Sequence, residues 1–246
     1  MVDGAGRAVV ATFYAPGEWP ERVVLDESAS HHATVKRLAV GDQVRLTSGD
    51  GRRMHGTIAV LGKGRLEVDG EHGSLERVAA PPHVELWAPV GDRDRMLLLA
   101  EKAVELGASS WRSIVYRRSR HVTPRGEGDA FREKLRRRMV SALEQTGSAW
   151  LPTIEPESDA LVAIASGIHG HAIVLDAFGA PIVDVLAEVH APLVIACGPE
   201  GGFEPDERAA FADRGWRAAS LGPNVLRFET AGLAGLVLAR ALMRAT

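Results

Sequence analysis

The last two thirds of the chain alternate short apolar runs with longer amphipathic stretches, which is typical of a parallel sheet covered by helices on both faces. The predicted strands are Val84–Ala88, Ser113–Val115, Ala172–Leu175, Leu193–Ala196 and Ala218–Leu221. The predicted helices are Arg93–Leu106, Ala130–Gln145, Ser158–Ser166, Val183–Val189, Pro205–Arg214 and Thr230–Met243. This part of the chain is therefore predicted to adopt an α/β fold.

The first 80 residues show a different pattern, in which short β-type runs are separated by glycine turns. The predicted strands are Ala8–Phe13, Val23–Leu25, Val44–Thr47, Met54–Val60 and Arg65–Val68. One helix is predicted over Ser30–Leu38, with a serine near its start. The pattern indicates a small β-barrel that carries one helix. Because Ala79-Ala80-Pro81-Pro82 is the best linker, domains are expected at 1–80 and 81–246.

Two glycine- and proline-rich loops follow predicted strands near the C-terminus. They span Gly198–Phe203 and Leu221–Leu226, and each leads toward a helix. Such turns expose backbone N–H and C=O groups at the carboxyl edge of a sheet, where α/β proteins bind ligands. Glycine permits positive φ and a close approach of a ligand to the backbone. The loops therefore favour recognition of a planar base by main-chain groups, and two tight turns without a ligand are the alternative.

Several classes of protein are excluded or disfavoured by what the sequence lacks. It has no P-loop motif, no dinucleotide-binding Gly-x-Gly-x-x-Gly after a strand, and no Gly-x-Ser-x-Gly elbow. It has no apolar run of about 18 residues and no signal-peptide pattern, so no membrane association is expected. The single cysteine, Cys197, excludes an intramolecular disulfide and is typical of a reducing cytoplasm.

The net charge of −3 averages two unlike regions. Residues 112–138 contain ten Lys and Arg against three acids, whereas residues 139–246 contain six against thirteen. The basic runs Arg117-Arg118-Ser119-Arg120 and Arg132–Arg138 favour contact with an RNA backbone, and a solvated charged face is the alternative. The pair His169 and His171 has no Cys or acid at metal-binding spacing, so no metal is expected.

Several motifs together resemble the RsmE family of RNA methyltransferases in the SPOUT superfamily. They are Gly198-Pro199-Glu200-Gly201-Gly202-Phe203, Leu221-Gly222-Pro223, Leu226-Arg227-x-Glu229-Thr230-Ala231, Glu101-Lys102-Ala103-x-Glu105-Leu106-Gly107, Glu144-Gln145-Thr146-Gly147 and His31-His32 with Arg37-Leu38. The chain departs from the family pattern at Ser148-Ala149-Trp150, Asn224 and Phe228, which concern substrate contacts more than the cofactor loops.

The resemblance implies a trefoil-knotted α/β domain after a PUA-like RNA-binding barrel. It also implies methylation, from S-adenosylmethionine, of N3 of one uridine in 16S rRNA of the small ribosomal subunit, by a homodimer with a shared active site. The expected cofactor-binding residues are Leu175, Gly198, Pro199, Glu200, Gly201, Leu221, Gly222, Val225 and Leu226. The expected RNA-binding residues are His31, His32, Arg37, Arg117, Arg118, Arg120, Arg136 and Arg137.

The candidate catalytic residues are Arg227, Glu229 and Thr230. A guanidinium beside the second loop could stabilise an anionic base, whereas a salt bridge to Glu229 and ordinary helix-start roles are the alternatives. Methylation at carbon C5 would need a nucleophile, for which Cys197 is the only cysteine, but buried cysteine usually behaves as a small hydrophobe. The rival functions are a SPOUT enzyme acting on tRNA or a ribose hydroxyl, and a non-catalytic RNA-binding protein.

Overall fold

The computed structural model describes residues 9–121 and 125–243, and it describes the side chains of these residues except Arg120 and His121. Contacts divide them into two compact units. The first unit comprises the residues up to Ala80 together with Val140–Leu151, and the second comprises Pro81–Met139 together with the residues from Pro152 onward. The predicted division at residue 80 does not include the return of Val140–Leu151 to the first unit.

The first unit is built on a six-stranded mixed sheet in the order β1-β3-β4-β5-β2, with β6 beside β4. The β1–β3 pair is parallel and the other pairs are antiparallel. Side chains such as Phe13, Leu46 and Ile58 form its buried core. The elements are β1 (Ala11–Tyr14), β2 (Arg22–Leu25), α1 (Glu27–Val35), β3 (Gln43–Thr47), β4 (Arg52–Gly62), β5 (Arg65–Gly70) and β6 (Glu76–Arg77).

Helix α1 begins three residues earlier than predicted because Asp26, and not a serine, forms its N-cap. The Asp26 carboxylate accepts a hydrogen bond from the Ala29 N–H at 2.8 Å, which satisfies one of the free donors of the first turn. Ser30 instead lies buried inside the helix and donates its hydroxyl to the Gly62 carbonyl at 2.8 Å. The helix ends at Val35, and Arg37 follows with a φ of 57°.

The segment Val140–Leu151 is bound into the first unit by many hydrogen bonds. The Glu144 carboxylate accepts one from the Tyr14 N–H and lies 3.0 Å from His32 Nδ1. The Gly147 carbonyl accepts one from Arg53 at 3.1 Å. The Leu151 N–H donates to the Gly49 carbonyl at 2.9 Å. The Glu144-Gln145-Thr146-Gly147 motif therefore has a structural role in this unit.

The second unit is a six-stranded, all-parallel sheet in the order β12-β10-β11-β7-β8-β9, with helices packed against it. Helices α4 and α6 contact each other, as do α2 and α7. The strands are β7 (Val84–Pro89), β8 (Ser110–Val115), β9 (Thr153–Asp159), β10 (His171–Pro181), β11 (Leu193–Cys197) and β12 (Arg217–Ser220). The helices are α2 (Arg93–Glu105), α3 (Gly128–Thr146), α4 (Ala160–Ala165), α5 (Ile182–Leu186), α6 (Pro205–Asp213) and α7 (Phe228–Leu242), and the part of α3 from Val140 onward belongs to the first unit.

Two features of this sheet differ from the sequence-based prediction. Strand β9 has no apolar run and contains Pro156, which is compatible with its position at the edge of the sheet. Strand β10 continues past Leu175 to Pro181 through a break in its register with β12. In the part of the chain that the structure describes, no helix is both long enough and apolar enough to cross a membrane.

Candidate functional site

A cavity of about 310 Å³ lies at the carboxyl edge of the parallel sheet. Strands β10, β11 and β12 are neighbours, so the loops that follow them meet at this edge. The structure brings together all nine residues predicted to bind the cofactor. They are Leu175, Gly198, Pro199, Glu200, Gly201, Leu221, Gly222, Val225 and Leu226. All nine line this one cavity, and their role as cofactor ligands stays a prediction.

The first loop, Gly198–Phe203, is a tight turn set on an aromatic cluster. The Gly202 N–H donates to the Pro199 carbonyl at 2.8 Å, and Gly202 has a φ of 74°, which favours glycine. Phe203 is buried, with its ring centroid 5.3 Å from that of Tyr116 and 5.4 Å from that of Phe211. A Cβ atom at Gly198 would lie 2.7 Å from the Phe203 ring. Gly198 therefore allows the loop to pass close over this cluster.

Two arginines hold the same loop from outside. Arg118 donates to the Gly201 carbonyl, and its Nε lies 2.9 Å from Glu204 Oε1. Arg95, in the first turn of α2, pairs with Glu200. Arg118 is predicted from sequence to bind RNA, and the structure places it against the first glycine-rich loop. Both arginines therefore restrain the conformation of the first loop.

The acids at the start of α6 belong to the helix itself. Glu204 and Glu207 form a capping box, in which the Glu204 N–H donates to the buried Glu207 carboxylate at 2.8 Å. Glu207 also accepts a hydrogen bond from the Arg117 N–H at 2.9 Å, and the Arg117 guanidinium pairs with Asp206. The interpretation of Asp206 and Glu207 as helix N-terminal acids agrees with this geometry.

The second loop, Leu221–Leu226, is exposed over most of its length. Gly222 has a φ of 132°, a conformation open to glycine and strained for other residues. The Ser220 hydroxyl bonds both the N–H and the C=O of Gly222. Val225 is 88% exposed although it lines the cavity. The Ser220 hydroxyl and the backbone conformation at Gly222 therefore hold this loop.

The three candidate catalytic residues lie at the start of α7. Arg227 is its N-cap residue and is exposed, as is Thr230. Glu229 is only 8% exposed, and its Oε2 has no hydrogen-bond partner in the described part of the chain. Its Oε1 lies 3.8 Å from Arg95 Nε, so Glu229 pairs with Arg95 and not with Arg227. None of the three is among the described residues that line the cavity.

Cys197 ends strand β11 and is fully buried. Burial raises the pKa of its thiol from 9.0 to about 12, because the thiolate would lose its hydration there. A Cβ atom at Gly232 of α7 would lie 3.2 Å from the Cys197 sulfur, so the thiol is packed beneath that helix. The geometry agrees with its interpretation as a small hydrophobe.

The other residues predicted to bind RNA lie apart in the sequence and differ in environment. In the first unit, His31 and Arg37 are exposed, whereas His32 is engaged with Glu144, whose pKa is raised by burial. In the second unit, Arg136 and Arg137 are exposed on α3. The side chain of Arg120 lies outside the described residues. Their contact with RNA stays a prediction.

The described residues contain no group of three or more His, Cys, Asp or Glu side chains arranged to hold a metal ion. Sequence reasoning missed four residues at the site: Arg95, Asp176, Phe178 and Arg208. Asp176 directly follows the apolar run of β10, and an acid at that position is a recognisable signal of a ligand edge. Phe178 and Arg208 also line the cavity, whereas Arg95 contacts Glu200 of the first loop, and none of these three carries a recognisable local signal.

Comparison with known proteins defines the class first. Residues 79–240 match the model of an RNA methyltransferase domain, and residues 25–69 match that of an RNA methyltransferase PUA domain. The chain is also 32% identical over 226 residues to the ribosomal RNA small subunit methyltransferase E of Mycobacterium bovis, covering 87% of this chain and 84% of the relative. The chain belongs to the family of ribosomal RNA small subunit methyltransferase E.

More distant relatives extend the likeness across the chain. The protein of the same name from Rickettsia conorii is 24% identical over 261 residues, covering 93% of this chain and 94% of the relative. The crystal structure of that enzyme from Neisseria gonorrhoeae, bound to S-adenosyl methionine, superposes with a TM-score of 0.84. It covers 95% of this chain and 98% of that chain at 24% identity, which establishes the shared fold.

Proposed function

We propose that this protein transfers the methyl group of S-adenosylmethionine to N3 of a uridine in 16S rRNA of the small ribosomal subunit. The observation that carries the proposal is the convergence of both glycine loops on one cavity of about 310 Å³. Membership of the family supports methylation of ribosomal RNA with S-adenosylmethionine. The match to a PUA domain supports RNA as the substrate.

The residues around the cavity suit this cofactor. Its volume is within the range of small-molecule sites, and its wall combines apolar side chains such as Leu175 and Leu226 with glycine-rich backbone. Adenine can be recognised by backbone N–H and C=O groups, which the loops at Gly198–Gly202 and Leu221–Leu226 present. The bound cofactor supplies a methyl group on a positively charged sulfur that is ready for nucleophilic attack.

Uridine N3 carries a proton at neutral pH, so the base must become anionic as its proton leaves. Charge then develops on the neighbouring carbonyl oxygens, where a guanidinium stabilises the transition state most. Arg227 is the candidate for this role because it lies between the second loop and α7. Among the described residues, the buried Oε2 of Glu229 has no hydrogen-bond partner, and its Oε1 lies 3.8 Å from Arg95 Nε. We therefore place Glu229 in the same catalytic set as Arg227. Thr230, in the first turn of α7, completes the proposed set.

We further propose that the protein acts as a homodimer in the cytoplasm, where ribosomal subunits are assembled. Helices α2 and α7 pack against each other, and each exposes large apolar side chains. These side chains are Leu98, Val237 and Leu242. Exposed apolar residues of this kind favour a protein interface. In such a dimer the partner could complete the site around the exposed second loop.

Two measurements test the activity. Calorimetry should detect binding of S-adenosylmethionine, with NAD and ATP as controls that bind far more weakly. Mass spectrometry of 16S rRNA nucleosides from a deletion strain should show loss of N3-methyluridine, restored by the intact gene. Loss of a methylated tRNA nucleoside or a 2′-O-methyl group would identify the rival enzyme. RNA binding without any change in nucleosides would identify a non-catalytic binder.

The oligomeric state can be tested in the full chain by light scattering. Val237→Glu places a charge among the exposed apolar residues of α7 and should convert a dimer to a monomer. Val162→Glu, at an exposed apolar position of α4, is the matched control and should leave the molar mass in solution at that of the parent dimer. A parent protein that is monomeric at micromolar concentration would contradict the dimer.

A further inference from the structure

Strand β10 carries a bulge at the edge of the cavity. Its register with β12 breaks between Leu175 and Ala180, so Asp176–Gly179 protrude from the sheet. Gly179 makes this possible, because a Cβ atom there would lie 2.5 Å from the backbone of Ala218. Phe178 lies within the bulge and is 90% exposed.

The exposed ring is held by a fixed set of contacts. Asp176, whose side chain is only 9% exposed, accepts a hydrogen bond from the Phe178 N–H at 3.0 Å and pairs with Arg208. The Arg208 guanidinium carbon lies 5.7 Å from the Phe178 ring centroid and 5.6 Å from that of the buried Phe203. The aromatic cluster beneath the first loop therefore supports the bulge through Arg208.

Asp176, Phe178 and Arg208 line the same cavity as the two glycine loops. Because Phe178 is 90% exposed on a segment that Asp176 and Arg208 hold in place, the face of its ring is open to a ligand in the cavity. Beside a site for RNA chemistry, such a ring is typical of a platform on which an unpaired nucleobase stacks. Its exposure puts Phe178 at the rim of the cavity, whereas the predicted cofactor residues Leu175 and Gly198 form its wall.

We propose that Phe178 is the stacking platform for the target base of the RNA, and that Asp176 and Arg208 are positioning residues for it. This inference rests on the proposed function and deepens it. The acceptor base has to enter through the open rim to reach a methyl group held between the loops. A planar ring at that rim binds any base by its face, so Phe178 contributes affinity and orientation while other groups select uridine.

Methyl-transfer kinetics with radiolabelled S-adenosylmethionine and small-subunit RNA test the proposal. Phe178→Leu keeps an apolar side chain but removes the aromatic face, and it should raise KM for RNA by about 5- to 100-fold, the scale of one lost stacking contact. Phe178→Trp should restore KM to near the parent value. Arg208→Gln should raise KM less than Phe178→Leu, and Arg208→Lys should rescue part of that loss because it keeps a charge for Asp176.

Three controls separate the alternatives. Val162→Ala alters another exposed apolar residue, outside the cavity, and should leave KM unchanged. In Phe178→Leu, calorimetry should give the parent's affinity for S-adenosylmethionine, and light scattering should give the parent's mass. A matching loss of cofactor affinity would assign Phe178 to the adenine, and a loss of the dimer would assign it to the subunit interface. Either result, or an unchanged KM for RNA, would overturn the proposal.

A second readout keeps this inference independent of catalysis. Fluorescence anisotropy should show weaker binding of a uridine-containing single-stranded RNA to Phe178→Leu than to the parent. A parent that methylates no RNA would refute the proposed function, and the anisotropy difference would still decide the role of Phe178. Equal anisotropy curves for the two proteins would refute that role even if the parent is active.

Discussion

The two glycine-rich loops border the same cavity but are held in different ways. Side chains brace the first loop from several directions, since Arg118 and Arg95 bind it from outside and Phe203 anchors it to an aromatic core. The second loop is exposed and is tied mainly by the Ser220 hydroxyl. The comparison shows that more side-chain contacts restrain the first loop than the second.

The largest effect is expected where the second loop enters α7. Arg227→Lys keeps the charge but loses the planar guanidinium, so it should lower the single-turnover methylation rate by about 10- to 1000-fold. Affinity for S-adenosylmethionine, measured by calorimetry, should change little. Cys197→Ala is the control and should remain active. An inactive but folded Cys197→Ala beside an active Arg227→Lys would point to methylation at carbon instead.

Backbone strain in the second loop should produce the next largest effect. Gly222→Ala places a Cβ at a φ of 132°, which costs about 1–3 kcal/mol. We expect the exposed loop to relax away from this conformation, so that binding has to restore it and affinity for S-adenosylmethionine falls by about 5- to 100-fold. Gly215→Ala is a matched control, because Gly215 also has a positive φ but lies outside the cavity-lining residues. Gly215→Ala should lower the free energy of unfolding without lowering the affinity for S-adenosylmethionine. If Gly222→Ala binds S-adenosylmethionine as tightly as the parent does, the second loop is not part of the cofactor site.

Substitutions in the first loop should act mainly on the free energy of unfolding. In Gly198→Ala the added Cβ meets the Phe203 ring, and the resulting overpacking should lower the free energy of unfolding by about 1–3 kcal/mol. At Gly201 the Cβ would instead meet the Arg118 side chain at 3.1 Å, which is flexible. Gly201→Ala should therefore cost less in urea unfolding. If Gly201→Ala lowers the free energy of unfolding more than Gly198→Ala does, the Arg118 side chain yields less than the Phe203 ring.

Arg118→Gln should have a smaller effect, up to about five-fold on affinity for S-adenosylmethionine, because exposed ion pairs contribute about 0–1 kcal/mol. Arg117→Gln loses a pair with Asp206 that does not involve the loop, so cofactor affinity should remain at the parent value. Both variants should also reduce the salt dependence of RNA binding if the sequence-based RNA prediction holds. If RNA affinity depends on salt concentration in both variants as it does in the parent, these arginines have structural roles only.

The smallest effect concerns the pH dependence of stability. The folded state keeps the Cys197 thiol protonated to about pH 12, whereas the unfolded thiol ionises near pH 9.0. The raised pKa stabilises the fold below pH 9, and this contribution is lost as pH rises toward 12. Between pH 9 and 10, this ionisation should lower the free energy of unfolding of the parent by about 1 kcal/mol, and urea unfolding of Cys197→Ala should not show that loss. Parallel curves would mean that the thiol ionises in the folded protein too.

Sequence patterns predicted the parts of the fold that local chemistry determines. Apolar runs identified β10, β11 and β12, and glycine spacing placed both loops at one cavity. Strand β9 was missed because an edge strand can be polar and can contain Pro156. The start of α1 was predicted at Ser30 because serine is common near helix starts, whereas Asp26, four residues earlier, is the actual cap. The trefoil knot stays a prediction of the resemblance.

Residues that reach the site through tertiary packing were beyond sequence reasoning. Arg95 and Arg208 lie far along the chain from the groups they contact, Glu200 and Asp176. Their pairing depends on how α2 and α6 pack beside the strands, which no local pattern encodes. The bulge that exposes Phe178 depends on the register of β10 with β12, and it is invisible until the strands are paired.

The return of Val140–Leu151 to the first unit bears on how such a protein can evolve. This unit is encoded by two separated stretches of the gene, so recombination of its first 80 codons alone would not transfer it whole. Glu144 would lose the Tyr14 N–H and His32. Leu143, which is fully buried, would meet a foreign surface. Transfer of the first 80 codons alone would therefore leave this unit incomplete, and substitutions in Val140–Leu151 are expected to coevolve with the N-terminal sheet.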